Sequence, residues 1–164
     1  PIPSCVLMYK QELPLMFPDD EAVAKVKAAF FDPFEYLMLR HKAGLVKTDF
    51  QTSLGKVAYH VACHQRVQNI GMKTRDFLSL IEGTEVTAIE RCSGHDGTYA
   101  VKSETYDKAM KIARPVVNRV KQAEPDSFGS DCPMAGRLIA HGWEDNPDAK
   151  SEHPLTMVRR AYGI

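Results

Sequence analysis

From residue 56 onward the apolar pattern changes period, and that change restricts the fold more than any other feature of the chain. "KVAYHVA" (56–62) is a short apolar run of the kind that forms a buried strand. A polar loop then leads to a helical stretch, "MKTRDFLSLIEG" (72–83), after which "EVTAIE" (85–90) returns to the strand pattern. The loop "RCSGHDGTYAV" precedes a long helix over 103–124, which Pro115 should bend or interrupt because proline lacks a backbone donor and clashes with the preceding turn. "DSFGSD" (126–131) reads as a third, weaker strand. "PMAGRLIAHG" reads as a helix with Pro133 in its first turn, and "HPLTMVRRAYG" (153–163) as a closing helix. Strands alternating with helices imply parallel pairing through crossover helices. The expected class is therefore α/β, a small and mostly parallel sheet with crossover helices.

The first part of the chain has no strand pattern. "CVLMYKQELPLMF" (5–17) and "EAVAKVKAAFFDPFEYLMLRHKAGL" (21–45) place apolar residues at three-to-four spacing, so both read as helical, with Pro33 splitting the second and Gly44 ending it. Phe30, Phe31, Phe34, Leu37 and Met38 form a heavy apolar stripe. Its polar face lacks the basic cluster of a membrane-surface helix, so packing on a sheet or a neighbouring domain is the better reading. Lys+Arg and Asp+Glu both number 21, which removes the charge surplus expected of a nucleic-acid binder. No apolar run approaches the roughly 20 residues that span a bilayer, and no export signal is present, so the expected location is cytoplasmic. The opening "PIPSC" lacks an initiator methionine and is already apolar, as in a fragment of a longer protein.

Four cysteines in a chain without an export signal argue against a disulfide framework. Their positions are informative. Cys63 ends the first strand, Cys92 lies just past the second and Cys132 just past the third. In a parallel sheet those ends share one edge, the edge at which open α/β sheets build their sites. Thiolates are soft ligands suited to zinc and iron–sulfur centres, which usually take four protein ligands. His95 and His64 are the nearest candidates for a fourth position, with His95 favoured because its glycine-flanked loop can turn back toward Cys92. His60 alternates with Cys63 and is set toward the other face. Gly94 and Gly97 allow backbone close to a bulky inorganic group and offer amide donors to its sulfurs. Rival chemistries are weaker. "CSGHDGTY" matches no phosphate-loop spacing, there is no C-x-x-C pair for dithiol exchange, and Ser93, His95 and Asp96 are too close in sequence for a hydrolase triad.

Taken in order, "YHVACHQRVQNIG", "RCSGHDGTYAVK", "SDCPMAG" and "EHPLTMV" resemble the C-terminal cysteine-rich (CCG) domain found in the iron–sulfur component of anaerobic glycerol-3-phosphate dehydrogenase. The wider family includes the CCG-containing component of heterodisulfide reductase. "PIPSCVLMYKQELP" resembles the end of a preceding CCG domain. The resemblance implies a division into residues 1–50, the end of that domain with inter-domain helices, and residues 51–164, the C-terminal CCG domain. It implies an iron–sulfur cluster, or zinc, on Cys63, Cys92 and Cys132, and a role in electron transfer between a flavin dehydrogenase subunit and a quinone or dithiol acceptor. Further implied partners are the missing N-terminal domain of the same protein and, through partners, the inner face of the membrane. Two departures weaken the ligand set: Ser93 stands where the family has a second cysteine of the pair, and Ala135 where it has a final one. Cys5 would belong to the preceding domain's motif. A degenerate domain holding zinc or no metal, kept for subunit docking, is the alternative.

Overall fold

The computed structural model describes residues 2–164. Three strands, β1 (Lys56–His60), β2 (Glu85–Ile89) and β3 (Ser127–Ser130), form an all-parallel open sheet in the order β2-β1-β3. His60 is level with Ile89 on one side and Ser130 on the other, so the three strands end together. The first crossover carries the chain outward from β1 to β2, and the second brings it back past β1 to β3. The strand order therefore reverses beside β1, and such a reversal opens a crevice at the carboxyl ends of the strands.

The first helical region runs from α1 (Pro3–Leu7) through a π-turn (Met8–Glu12) into α2 (Leu13–Met16), followed by α3 (Glu21–Ala29) and α4 (Pro33–Lys42). Pro33 does not merely interrupt a helix; it opens one. Asp32 caps α4 by accepting from the amides of Phe34 (2.9 Å) and Glu35 (3.3 Å), and Glu35 returns a bond to the Asp32 amide (3.2 Å). That reciprocal cap, with proline at a position whose N–H would be orphaned anyway, is a strong start signal. The stripe then divides. Phe34, Leu37 and Met38 join the sheet's core, whereas Phe30 stacks on Tyr9 of the π-turn at 4.6 Å between ring centroids.

After β1 come α5 (Cys63–Val67) and α6 (Lys73–Leu78), then α7 (Ser103–Gln122) between β2 and β3, α8 (Pro133–His141) and α9 (Pro154–Ala161). Two details differ from the sequence reading. The stretch directly after β1 begins with a short helix rather than a loop, and Pro115 leaves α7 unbroken over 20 residues. Ala113, Val116, Val117 and Val120 of α7 are all buried, and their packing outweighs the one backbone bond that Pro115 forfeits.

Both faces of the sheet are covered. Phe34, Phe77, Leu78 and Met157, from α4, α6 and α9, pack against Val57. Val116, Val120 and Ile139, from α7 and α8, pack with Ala58, Ile89 and Phe128 on the opposite face. A strand buried on both sides needs an apolar run instead of alternation, and 57–62 supplies one that only His60 interrupts. Among the described residues no helix is long and apolar enough to cross a membrane.

Candidate functional site at the carboxyl edge of the sheet

A cavity of about 370 Å3 opens where the three strands end, and Cys63, Cys92, Cys132, His64, His95 and Gly97 all line it. Each cysteine reaches it by a separate route. Cys63 does not end the strand: β1 stops at His60, and Cys63 is the first residue of α5, with Val61 and Ala62 between them. Cys132 is the N-cap of α8, held extended at φ −97° and ψ 107° where β3 turns into that helix. Cys92 lies in the irregular loop after β2 and is exposed, while Cys63 and Cys132 are half-buried. Cys5 is exposed on α1 and does not line the cavity, although its neighbours Pro3 and Ser4 do. The Gln68 side chain anchors that neighbourhood by donating to the Pro3 carbonyl at 3.3 Å.

Two of the three sulfurs already face N–H donors. The Gly94 amide donates to Cys92 Sγ at 3.4 Å, and the Arg66 guanidinium lies 3.9 Å from Cys63 Sγ. Donors of this kind support metal-bound sulfur and tune clusters that thiolates hold. The two glycines of "SGHDG" do different things. Gly94, at φ +77°, does not line the cavity: a Cβ there would stand 2.2 Å from the Ala109 carbonyl oxygen, so its bareness lets the loop lie flush against α7. Gly97, at φ +51°, borders the cavity, and a Cβ on it would meet nothing within 4 Å. Ser93 is buried, with its Oγ accepting the His95 amide at 3.4 Å; Ala135, also buried, forms part of the cavity wall.

Among the described residues no three His, Cys, Asp or Glu side chains stand close enough together to hold one metal ion. A lone zinc ion, with bonds of about 2.3 Å to sulfur, needs its ligands in mutual contact, so three of these donors as they stand do not suit it.

What holds the three strand ends in place is His60, which the sequence reading set aside. It is buried at 1% exposure. Its Nε2 lies 2.8 Å from the Arg91 carbonyl oxygen and its Nδ1 lies 2.9 Å from Ser130 Oγ. A carbonyl can only accept, so Nε2 carries the proton and Nδ1 accepts from the serine hydroxyl. Ser130 Oγ in turn accepts the Cys132 amide at 3.3 Å. One imidazole at the end of β1 thus ties the residue before Cys92 to the residue that positions Cys132. Burial pushes its pKa below the ordinary 6.5, the Arg91 carbonyl opposes that shift, and the Arg66 charge adds to it. The available signal was the presence of a histidine inside an otherwise apolar strand, since a buried polar group has to find partners.

On the other face Tyr59 donates its hydroxyl to Asp131, and Thr74 donates to the second carboxylate oxygen at 3.1 Å. Burial pushes Asp131 up to about 7, against the lowering effect of the Tyr59 hydrogen bond, and the nearby Asp32 charge raises it further. Burial, followed by the Asp131 charge, also pushes the Tyr59 phenol upward. Neighbouring residues of β1, Tyr59 and His60, therefore brace the turn that presents Cys132 from opposite sides.

Fold and site together define an open parallel α/β domain with a cysteine-rimmed cavity at the reversal point of its sheet. No family model matches the chain, and no solved structure matches it.

Proposed function

We propose that this chain is an iron–sulfur electron-transfer domain of the CCG type, a component of an oxidoreductase complex like anaerobic glycerol-3-phosphate dehydrogenase or heterodisulfide reductase. One observation supports the reading most: cysteines that follow three different strands all line one cavity. In this reading Cys63, Cys92 and Cys132 hold the cluster, with His95 or His64 beside them, and the cluster supplies one-electron chemistry when bound. The protein's own residues set its position and surroundings. His60 fixes the strand ends, and Gly94 N–H and Arg66 direct donors at two of the sulfurs. The donor would be a flavin dehydrogenase subunit and the acceptor a quinone or a dithiol couple. The exposed side chains of Leu15, Met16 and Phe17 offer apolar surface for a partner domain.

The second reading, a docking module without a cluster, draws on Ser93 and Ala135. Both are buried at positions where the family supplies thiolates, which leaves three cysteines at the cavity. Purification without oxygen, followed by reconstitution with ferrous iron and sulfide, separates the two. The electron-transfer reading expects brown protein with iron and acid-labile sulfide co-eluting. Colourless protein, with or without zinc, supports the docking module.

A further inference from the structure

Next to the cysteine cavity, with His95 as a shared wall, lies a second cavity of about 540 Å3. That volume is in the range of small-molecule sites. It is formed by the loop after β2, the start of α7, one side of α8 and residues 149–151. Val101, Met134, Leu138 and Ala149 give it an apolar wall, and Val101 and Met134 are 66% and 41% exposed, apolar surface that a ligand would cover. Arg137 and Lys150 also line the cavity, and no aspartate or glutamate does. Neither cation makes an ion pair or hydrogen bond among the described residues, whereas Lys10, Lys121 and Arg160 each contact a carboxylate within 3 Å. Tyr106 and His141 meet at 3.2 Å between hydroxyl and Nδ1, which fixes two further polar groups at the edge.

An apolar lining with two cations that make no ion pair, and no acid among the lining residues, is complementary to an apolar body ending in an anionic group. We propose that this cavity binds a small amphiphilic carboxylate, its chain on Val101, Met134 and Leu138 and its carboxylate between Arg137 and Lys150. No cysteine lines this cavity, so a ligand can occupy it whether or not a cluster is bound next to it. A ligand here would nonetheless lie one side chain, His95, from the cysteine site.

Decanoate is a suitable probe, titrated into isotope-labelled, metal-free protein and followed by two-dimensional NMR. Saturable shifts centred on Val101, Leu138 and Ala149 are expected. Decan-1-ol, which lacks the charge, should bind more weakly. Arg137→Gln with Lys150→Gln should weaken decanoate by about five- to tenfold, the size of two partly exposed charge contacts. Both side chains are exposed, so the fold should tolerate the change. Val101→Trp, at an exposed position, should lay an indole across the apolar lining and weaken the shifts. The proposal is overturned if the shifts centre on the Leu15–Phe17 surface, if decan-1-ol binds as well as decanoate, or if either variant binds like the parent. Because the protein is metal-free, the outcome is independent of whether a cluster can be reconstituted.

Discussion

Removing the His60 ring should loosen all three strand ends at once. His60→Ala leaves the Arg91 carbonyl without its donor and the Ser130 hydroxyl without its acceptor, in a site where the parent side chain is 1% exposed. An unsatisfied buried polar group costs about 1–3 kcal/mol, and the vacated ring adds a packing loss, so the expected total is about 3–5 kcal/mol. That is a large part of a typical domain's stability, about 5–15 kcal/mol. With a urea slope near 2 kcal/mol/M, the midpoint should fall by about 2 M. His60→Asn can keep the Ser130 bond and His60→Gln the Arg91 bond, so each should cost about half as much. The costs of His60→Ala and Ser130→Ala should not add, because the two share a bond. The sign with pH follows from the depressed imidazole pKa. The unfolded chain binds a proton near pH 6.5 that the folded one refuses, so this contribution is complete above that pH. It declines as pH falls toward the folded value. The cost of His60→Gln should therefore shrink below pH 6.5. A cost for His60→Ala under about 1 kcal/mol, or one that grows on acidification, would refute the role assigned to this ring.

The remaining expectations are shorter. Cys63→Ser, Cys92→Ser and Cys132→Ser should each lower the iron bound after reconstitution, and Cys5→Ser, away from the cavity, should not; equal iron in all four would mark the binding as adventitious. His95→Ala should change the visible spectrum more than His64→Ala does, and the reverse result would exchange their roles. Gly94→Ala should destabilise the domain by about 1–3 kcal/mol in thermal or urea unfolding, since the new methyl meets the Ala109 carbonyl at 2.2 Å and the backbone is at positive φ. Asp131 works in the opposite direction to His60. With its carboxyl raised to about 7, the stability it contributes is complete below its ordinary 3.8 and is lost as pH rises through 7. Asp131→Asn should flatten the pH dependence of the urea midpoint between about 4 and 7.

The order of strands and helices was legible in the sequence, because a strand buried on both faces and a helix with one buried face leave different apolar spacings, and these are local patterns. The positions of Cys63, Cys92 and Cys132 just after three strands could be read in the same way, and parallel pairing then required them to share an edge. That α7 runs on through Pro115 could not be read: the cost of the proline is local, but the packing of Ala113, Val116 and Val120 that outweighs it exists only once α7 lies on the sheet. Nor could Gly94, whose neighbour is the backbone of a helix that begins nine residues later. His60 is the clearest case. Its partners Arg91 and Ser130 are 31 and 70 residues away, and only the strand order β2-β1-β3, with β1 in the middle, places one imidazole between both. Spacing along the chain specifies which residues reach the edge of the sheet. Which of them touch is decided by the register between strands, a property of the folded sheet that no single segment contains.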